Sequence, residues 1–221
     1  MLANRAASQR KIRRFAIIVP WCNTVVEDEL YSLVPSHVRL HYARIRPRIL
    51  PQDWNDESYL TGMLTRVPEA VDQFAGLELD GIVLACTSLA FKEELPHYSG
   101  REVTSAFSCI LKSIKRFRDT SIGLLTPYSE QTTASEISAF ADAGVRVATW
   151  ERLTLTSELR QVSSRTIFDA VRKIHMRDIS TVVVSCTGLY THSLIRRCKE
   201  EQPHKEIISS VSAIAEFIAS T

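Results

Sequence analysis

A chain of 221 residues that is 45% hydrophobic and 24% charged has the composition of an ordinary globular protein, long enough to bury a sizeable core. Its formal charge of +2 points to neither a nucleic-acid nor a membrane partner, and no apolar run approaches the ~20 residues of a membrane-spanning helix. Five cysteines without a Cys-x-x-Cys pair argue for thiols in a reducing cytoplasm, and against zinc ribbons and thioredoxin-type redox sites.

Residues 1–14 carry Arg5, Arg10, Lys11, Arg13 and Arg14 and no acid, which reads as a solvated basic arm. A mitochondrial transit peptide is the alternative, for which the segment is short. Residues 15–19 predict a strand ended by Pro20. Asn23-Thr24 offers caps for a helix over 25–33, whose first turn holds Glu27, Asp28 and Glu29. A second strand is expected at 38–45. The stretch 46–56, with Pro47, Pro51 and Trp54, reads as a long loop over a strand end. Helical signal returns at 58–76, and an apolar strand, Gly81-Ile82-Val83-Leu84-Ala85-Cys86, ends in Cys-Thr. A brief strand at 102–105 and a helix over 106–117 follow.

The pattern then restarts. The expected elements are a strand at 121–126, a helix over 129–142 closed by Gly144, a strand at 145–149 and a helix over 164–176. A strand at 179–186 again ends in Cys-Thr. A helix over 191–200, a strand at 207–209 and a helix over 211–220 complete the chain. Phe15–Trp21 matches Ile122–Tyr128, Cys86-Thr87 matches Cys186-Thr187, and Glu102–Ala106 matches Glu206–Ser210, at offsets of 107, 100 and 104. Repeats of about 100 residues are domains rather than solenoid units. The expected class is therefore α/β, with two pseudo-twofold-related Rossmann-like subdomains, each a parallel sheet flanked by helices, and an active site in the cleft between them.

Paired thiols at such strand ends suit two chemistries. One thiolate can take a proton from carbon while the other thiol delivers one to the opposite face. Alternatively, one thiolate adds to an electron-poor double bond, and the adduct rotates before elimination. Either requires a thiol pKa lowered below about 8.5, which a helix starting just after each cysteine would provide. Thr87-Ser88 and Thr187-Gly188 supply hydroxyls and N–H groups that can hold a carboxylate. Two small buried hydrophobes are the bland alternative, against which the matched placement counts. Cys22, Cys109 and Cys198 have no such pairing. Asn23 is either a carboxylate donor or a helix cap, and Tyr128 either a hydroxyl donor or a core ring. His192 reads as a solvated helix start. Arg44, Arg46 and Arg48 read as alternating charge on an exposed edge rather than a dianion site. The absence of a Gly-rich loop argues against a nucleotide site, and no cluster has metal-ligand spacing.

Pro20-x-x-Asn23-Thr24-x-x-Glu27, Ala85-Cys86-Thr87-Ser88, Thr126-Pro127-Tyr128 and Ser185-Cys186-Thr187 resemble the aspartate/glutamate/hydantoin racemase superfamily, in its maleate cis-trans isomerase and arylmalonate decarboxylase branch. The resemblance runs from residue 15 to 221. It implies a cofactor-independent enzyme in which Cys86 and Cys186 are catalytic and Asn23, Thr87, Ser88, Tyr128, Thr187 and Gly188 bind a small carboxylate. Having both cysteines favours isomerase or racemase chemistry over decarboxylation. Thr156 stands where that branch has a substrate-binding Asn, and Cys22 where it commonly has a small hydroxyl residue. The family's swapped last helix groups 207–221 with 15–100 and leaves 101–206 as the second subdomain. The expected function is isomerisation of a small dicarboxylate of the maleate type, in a cytoplasmic homodimer. An amino-acid or hydantoin racemase, a small-acid binding protein and a thiol redox sensor are the competing readings.

Overall fold

The run Phe15–Val19 alternates between two apolar layers. Phe15, Ile17 and Val19 enter one core, and Ala16 and Ile18 enter another. A strand buried on both faces needs helices on both sides, the arrangement of a covered parallel sheet. The computed structural model, which describes residues 11–48, 62–91, 95–117, 121–154 and 159–221, contains two such sheets.

The first sheet is built from β1 (Arg13–Pro20), β2 (Val38–Ile45), β3 (Gly81–Leu84) and β4 (Thr104–Ser105), with α1 (Val25–Leu33) and α2 (Val67–Asp72) in its connections. Helix α3 (Ala106–Phe117) leads to the second. That sheet holds β5 (Ser121–Thr126), β6 (Arg146–Arg152), β7 (Thr181–Val184) and β8 (Glu206–Ser209), connected by α4 (Glu130–Asp142), α5 (Ser164–His175) and α6 (His192–Glu201). Helix α7 (Ser210–Ser220) closes the chain. The strand orders, β2-β1-β3-β4 and β6-β5-β7-β8, are the same in the two sheets, and every pairing is parallel. The repeat extends to single hydrogen bonds. Ala85 N donates to Ile18 O and Ser185 N to Leu125 O, each at 2.8 Å.

Serine caps start three helices. Ser129 accepts from Thr132 N, Ser163 from Thr166 N, and Ser209 forms a reciprocal box with Ser212. Gly144 closes α4 at φ +77°, as its position after the helix predicts. Strand β6 runs three residues beyond the expected end at 149, because its register shifts at Ile122/Gly123 and pairing continues to Thr126–Arg152.

Between the sheets lies one shared core. Val26 and Leu30 of α1, Phe107, Ile110 and Ile114 of α3, Phe140 of α4, and Val211, Ile214 and Ile218 of α7 pack there with Phe15, Ile17, Ile122 and Leu124. Burying each such side chain stabilises by roughly 1.5–3 kcal/mol relative to exposure. This middle layer therefore couples the two halves. The two short edge strands depart from the expected grouping. Residues 104–105 belong to the first sheet and 206–209 to the second. Only the helices cross: α7 follows β8 directly yet packs on α3 and α1.

Candidate active site

In each sheet the chain leaves its first strand toward one edge and later returns to the other side of it. Loops diverge at such a reversal and leave a crevice at the strands' carboxyl ends. The reversals fall between β1 and β3 and between β5 and β7. Asn23 follows β1 and Cys86 follows β3, while Tyr128 follows β5 and Cys186 follows β7. Topology alone thus puts these residues at two equivalent crevices.

The two carboxyl ends meet through hydrogen bonds between the Cys-Thr segments. Asn23 Nδ2 donates to Thr187 Oγ1 at 3.0 Å, and Thr187 Oγ1 donates to the Ala85 carbonyl at 3.0 Å. Thr87 Oγ1 donates to Ser210 Oγ at 2.9 Å, and Cys186 N donates to the same oxygen at 3.0 Å. Asn23 also accepts from Val26 N at 3.2 Å, so its amide caps α1 with one end and reaches the other half with the other.

Cys86 is half-buried, with Sγ 3.7 Å from Ser88 Oγ. It packs beside Ile82 and Leu84 on the outer core of the first half. Cys186, 7% exposed, accepts from Gly188 N at 3.3 Å and packs beside Val182 and Val184 on the outer core of the second half. Its φ of +109° lies in the left-handed region, a costly conformation for a residue with a side chain. Tyr128 is buried edge-on to Phe91, with ring centroids 6.1 Å apart.

The thiols do not have the lowered pKa expected of them. Burial pushes Cys86 up to about 11, against the opposing hydrogen bond from Ser88. Burial pushes Cys186 up to about 12, against the Gly188 N–H, with Cys86 adding a smaller upward push. No helix begins at either cysteine: 87–89 and 187–188 are turns, and α6 starts only at His192. The expected dipole is therefore missing. Tyr128 is raised well above its ordinary value by burial, then by Cys186, Glu136 and Cys86, so one phenol senses both thiols.

Four residues at the site escape a reading of the sequence. Glu136 of α4 is fully buried and accepts a hydrogen bond from the Ser185 hydroxyl. Ser210 accepts from both halves, as described above. Arg44 of β2 donates to the carbonyls of Pro20, Trp21 and Asn23 and pairs with Glu27, so it clamps the loop that carries Asn23. It is not merely charge on an edge. Arg46 and Arg48 are exposed. Glu29, read only as one of three first-turn acids, is buried and accepts from the Thr191 and His192 backbone at the start of α6.

His192 itself is exposed, Cys109 and Cys198 are core residues, and Cys22 is exposed near enough to Cys86 to influence it. Thr156 and residues 49–56 of the long loop lie outside the described residues. Among those described, no group of His, Cys, Asp or Glu could hold a metal ion, and no helix is long and apolar enough to cross a membrane.

No protein-family profile matches the sequence. Maleate isomerase of Nocardia farcinica is 21% identical over 193 residues, which are 79% of this chain and 76% of that one. The structure of a variant of that enzyme with a covalently bound succinylcysteine intermediate superposes with a TM-score of 0.78, covering 93% of this chain and 91% of the other at 19% identity. This chain has the maleate isomerase fold. The maleate isomerase from Pseudomonas putida S16 gives a TM-score of 0.80 over 95% of this chain and 92% of its own, at 14% identity. Unliganded arylmalonate decarboxylase gives 0.72 over 94% and 92%, at 17% identity. The maleate isomerase fold is thus shared along nearly the whole chain by enzymes of more than one activity.

Proposed function

We propose that this chain is a cofactor-independent isomerase of a small dicarboxylate, with conversion of maleate to fumarate as its reaction. The observation that carries the reading is the junction of two Cys-Thr strand ends through Asn23, Thr187 and the Ala85 carbonyl. Cys86, the more exposed thiol, is the nucleophile. Its thiolate adds to one alkene carbon, and the far carbon takes a proton from the Cys186 thiol, giving a succinyl thioether. The carbon–carbon bond, now single, rotates, the Cys186 thiolate takes a proton back, and the freed electron pair reforms the alkene and expels the thiolate. The cycle consumes no oxidant and no net proton. The succinylcysteine of the Nocardia enzyme is an adduct of the kind this step requires.

Cys186 is the acid–base partner. Asn23, Thr87, Ser88, Tyr128, Thr187 and the Gly188 N–H hold the two carboxylates. Asn23 bonds to Thr187 across the seam and the Gly188 N–H donates to Cys186 Sγ, so binding a substrate exchanges internal hydrogen bonds for bonds to the ligand. The test is to incubate the protein with maleate and follow fumarate, then repeat with C86A and C186A. Turnover that survives both substitutions removes the reading.

A second reading is an amino-acid or hydantoin racemase. One observation favours it: the two thiols follow equivalent strands, β3 and β7, of the repeat, and two-base proton exchange wants matched partners. Incorporation of solvent deuterium at the α-carbon separates the two, because addition and rotation need no exchange. The reading includes a cytoplasmic homodimer, which sedimentation of the reduced protein tests.

A further inference from the structure

Helix α4 presents a Ser/Thr-rich sequence to its surroundings, yet Glu136 is 0% exposed. One carboxyl oxygen accepts from Ser185 Oγ, and the other makes no hydrogen bond of normal geometry among the described residues. An ionised carboxylate so placed would cost several kcal/mol, so the group is retained in its acid form. Ser185 immediately precedes Cys186 in the chain. The titratable groups facing Glu136 are the Tyr128 phenol, from the turn after β5, and the Cys186 thiol, from the end of β7. Thr126 and Ser185 add neutral hydroxyls.

We propose that Glu136 is a positioning residue for the second thiol: its acid form braces Ser185 and lets Cys186 ionise without an opposing charge, and its carboxylate form suppresses that ionisation. Burial pushes Glu136 up to about 8, with the Ser185 and Thr126 hydroxyls pulling the other way. The changeover therefore falls just above neutral pH. Cys186 has a neutral neighbour below it and an anionic neighbour above it. The catalytic meaning of this coupling rests on the isomerase reading, in which Cys186 is the acid–base partner. The coupling itself is a property of the protein without substrate.

The experiment measures alkylation of Cys186 by iodoacetamide against pH, read by peptide mass spectrometry, in the C86S protein without ligand. With Glu136 present, the rate should rise with pH and then bend to a shallower slope near pH 8. Adding E136Q should leave the rate unchanged below the bend and remove the bend itself, giving about tenfold faster alkylation above it, the equivalent of one pKa unit. E136D should restore the bend. Superimposable profiles for Glu136 and E136Q overturn the proposal, whatever the substrate proves to be. If E136Q does not fold, S185A decides. Losing the hydroxyl that favours the carboxylate moves the bend to higher pH, and a bend that stays in place overturns the proposal.

Discussion

Thr187 donates its hydroxyl to the carbonyl of Ala85, 102 positions earlier in the chain, at 3.0 Å, and in the same stroke accepts the amide of Asn23. One side chain thus pins the strand end of the second half onto that of the first. Thr187→Val keeps the shape and deletes both bonds, leaving a buried carbonyl and a half-buried amide unpaired. The expected loss is about 1–3 kcal/mol in urea unfolding, and Thr187→Ser should recover most of it. A loss no larger than that of an exposed threonine would mean the pin carries nothing.

The two cysteines should fail differently. Under the isomerase reading, C186A incubated with maleate leaves Cys86 carrying one maleate mass, because addition proceeds and completion does not. C86A leaves no adduct at all. Turnover should fall by about 10²-fold or more in either variant. Adducts found on Cys186 instead would reverse the assigned roles.

Arg44 reaches three carbonyls with one guanidinium nitrogen and Glu27 with another. A lysine cannot reproduce that fork. R44K should therefore raise KM several-fold while moving kcat little, because it loosens the Asn23 loop rather than the thiols. An equal fall in kcat with KM unchanged would contradict this.

His175 is buried, and neither ring nitrogen makes a hydrogen bond of normal geometry among the described residues. Burial, with Lys205 acting in the same direction, lowers its pKa from 6.5 to about 4. A folded value below the unfolded one means stability that is full above pH 6.5 and is lost as pH falls toward 4. H175F should unfold less steeply over that window, by about 2 kcal/mol relative to the parent at the acid end. Parallel acid-unfolding curves would exclude His175 as the source.

A methyl group added at Gly123 would collide with the side chain of Ile174, where β5 passes under α5. G123A should destabilise by about 1–3 kcal/mol, read as a lowered Tm, and trimming Ile174 to Val or Ala in the same protein should restore part of it.

The strands and the duplicated Cys-Thr ends were legible because their signals are local: β-branched apolar runs stopped by Pro20, Pro127 or Cys-Thr, at matching offsets. The strand-end positions of Asn23 and Tyr128 were legible for the same reason, since topology carries whatever follows those strands to a crevice. Glu136 was not. A glutamate on a helix rich in serine and threonine reads as solvated, and only the docking of α4 against Ser185 buries it. Arg44 was read as edge charge because three of its acceptors are backbone carbonyls, which have no sequence signature, and the fourth, Glu27, lies 17 positions away. The thiol environment was misjudged for a related reason. A strand ending in Cys-Thr suggests a helix directly behind it, but turns separate the two here, and desolvation outweighs the donors that remain.

The left-handed backbone at Cys186 sets heat tolerance against chemistry. Glycine relaxes such a position by removing the Cβ, and would be expected to outlast cysteine under selection for robustness alone. A lineage that no longer needed the second sulfur would have a ready thermodynamic reason to discard it. Under the isomerase reading, the second sulfur is held at this position at the cost of an easier chain.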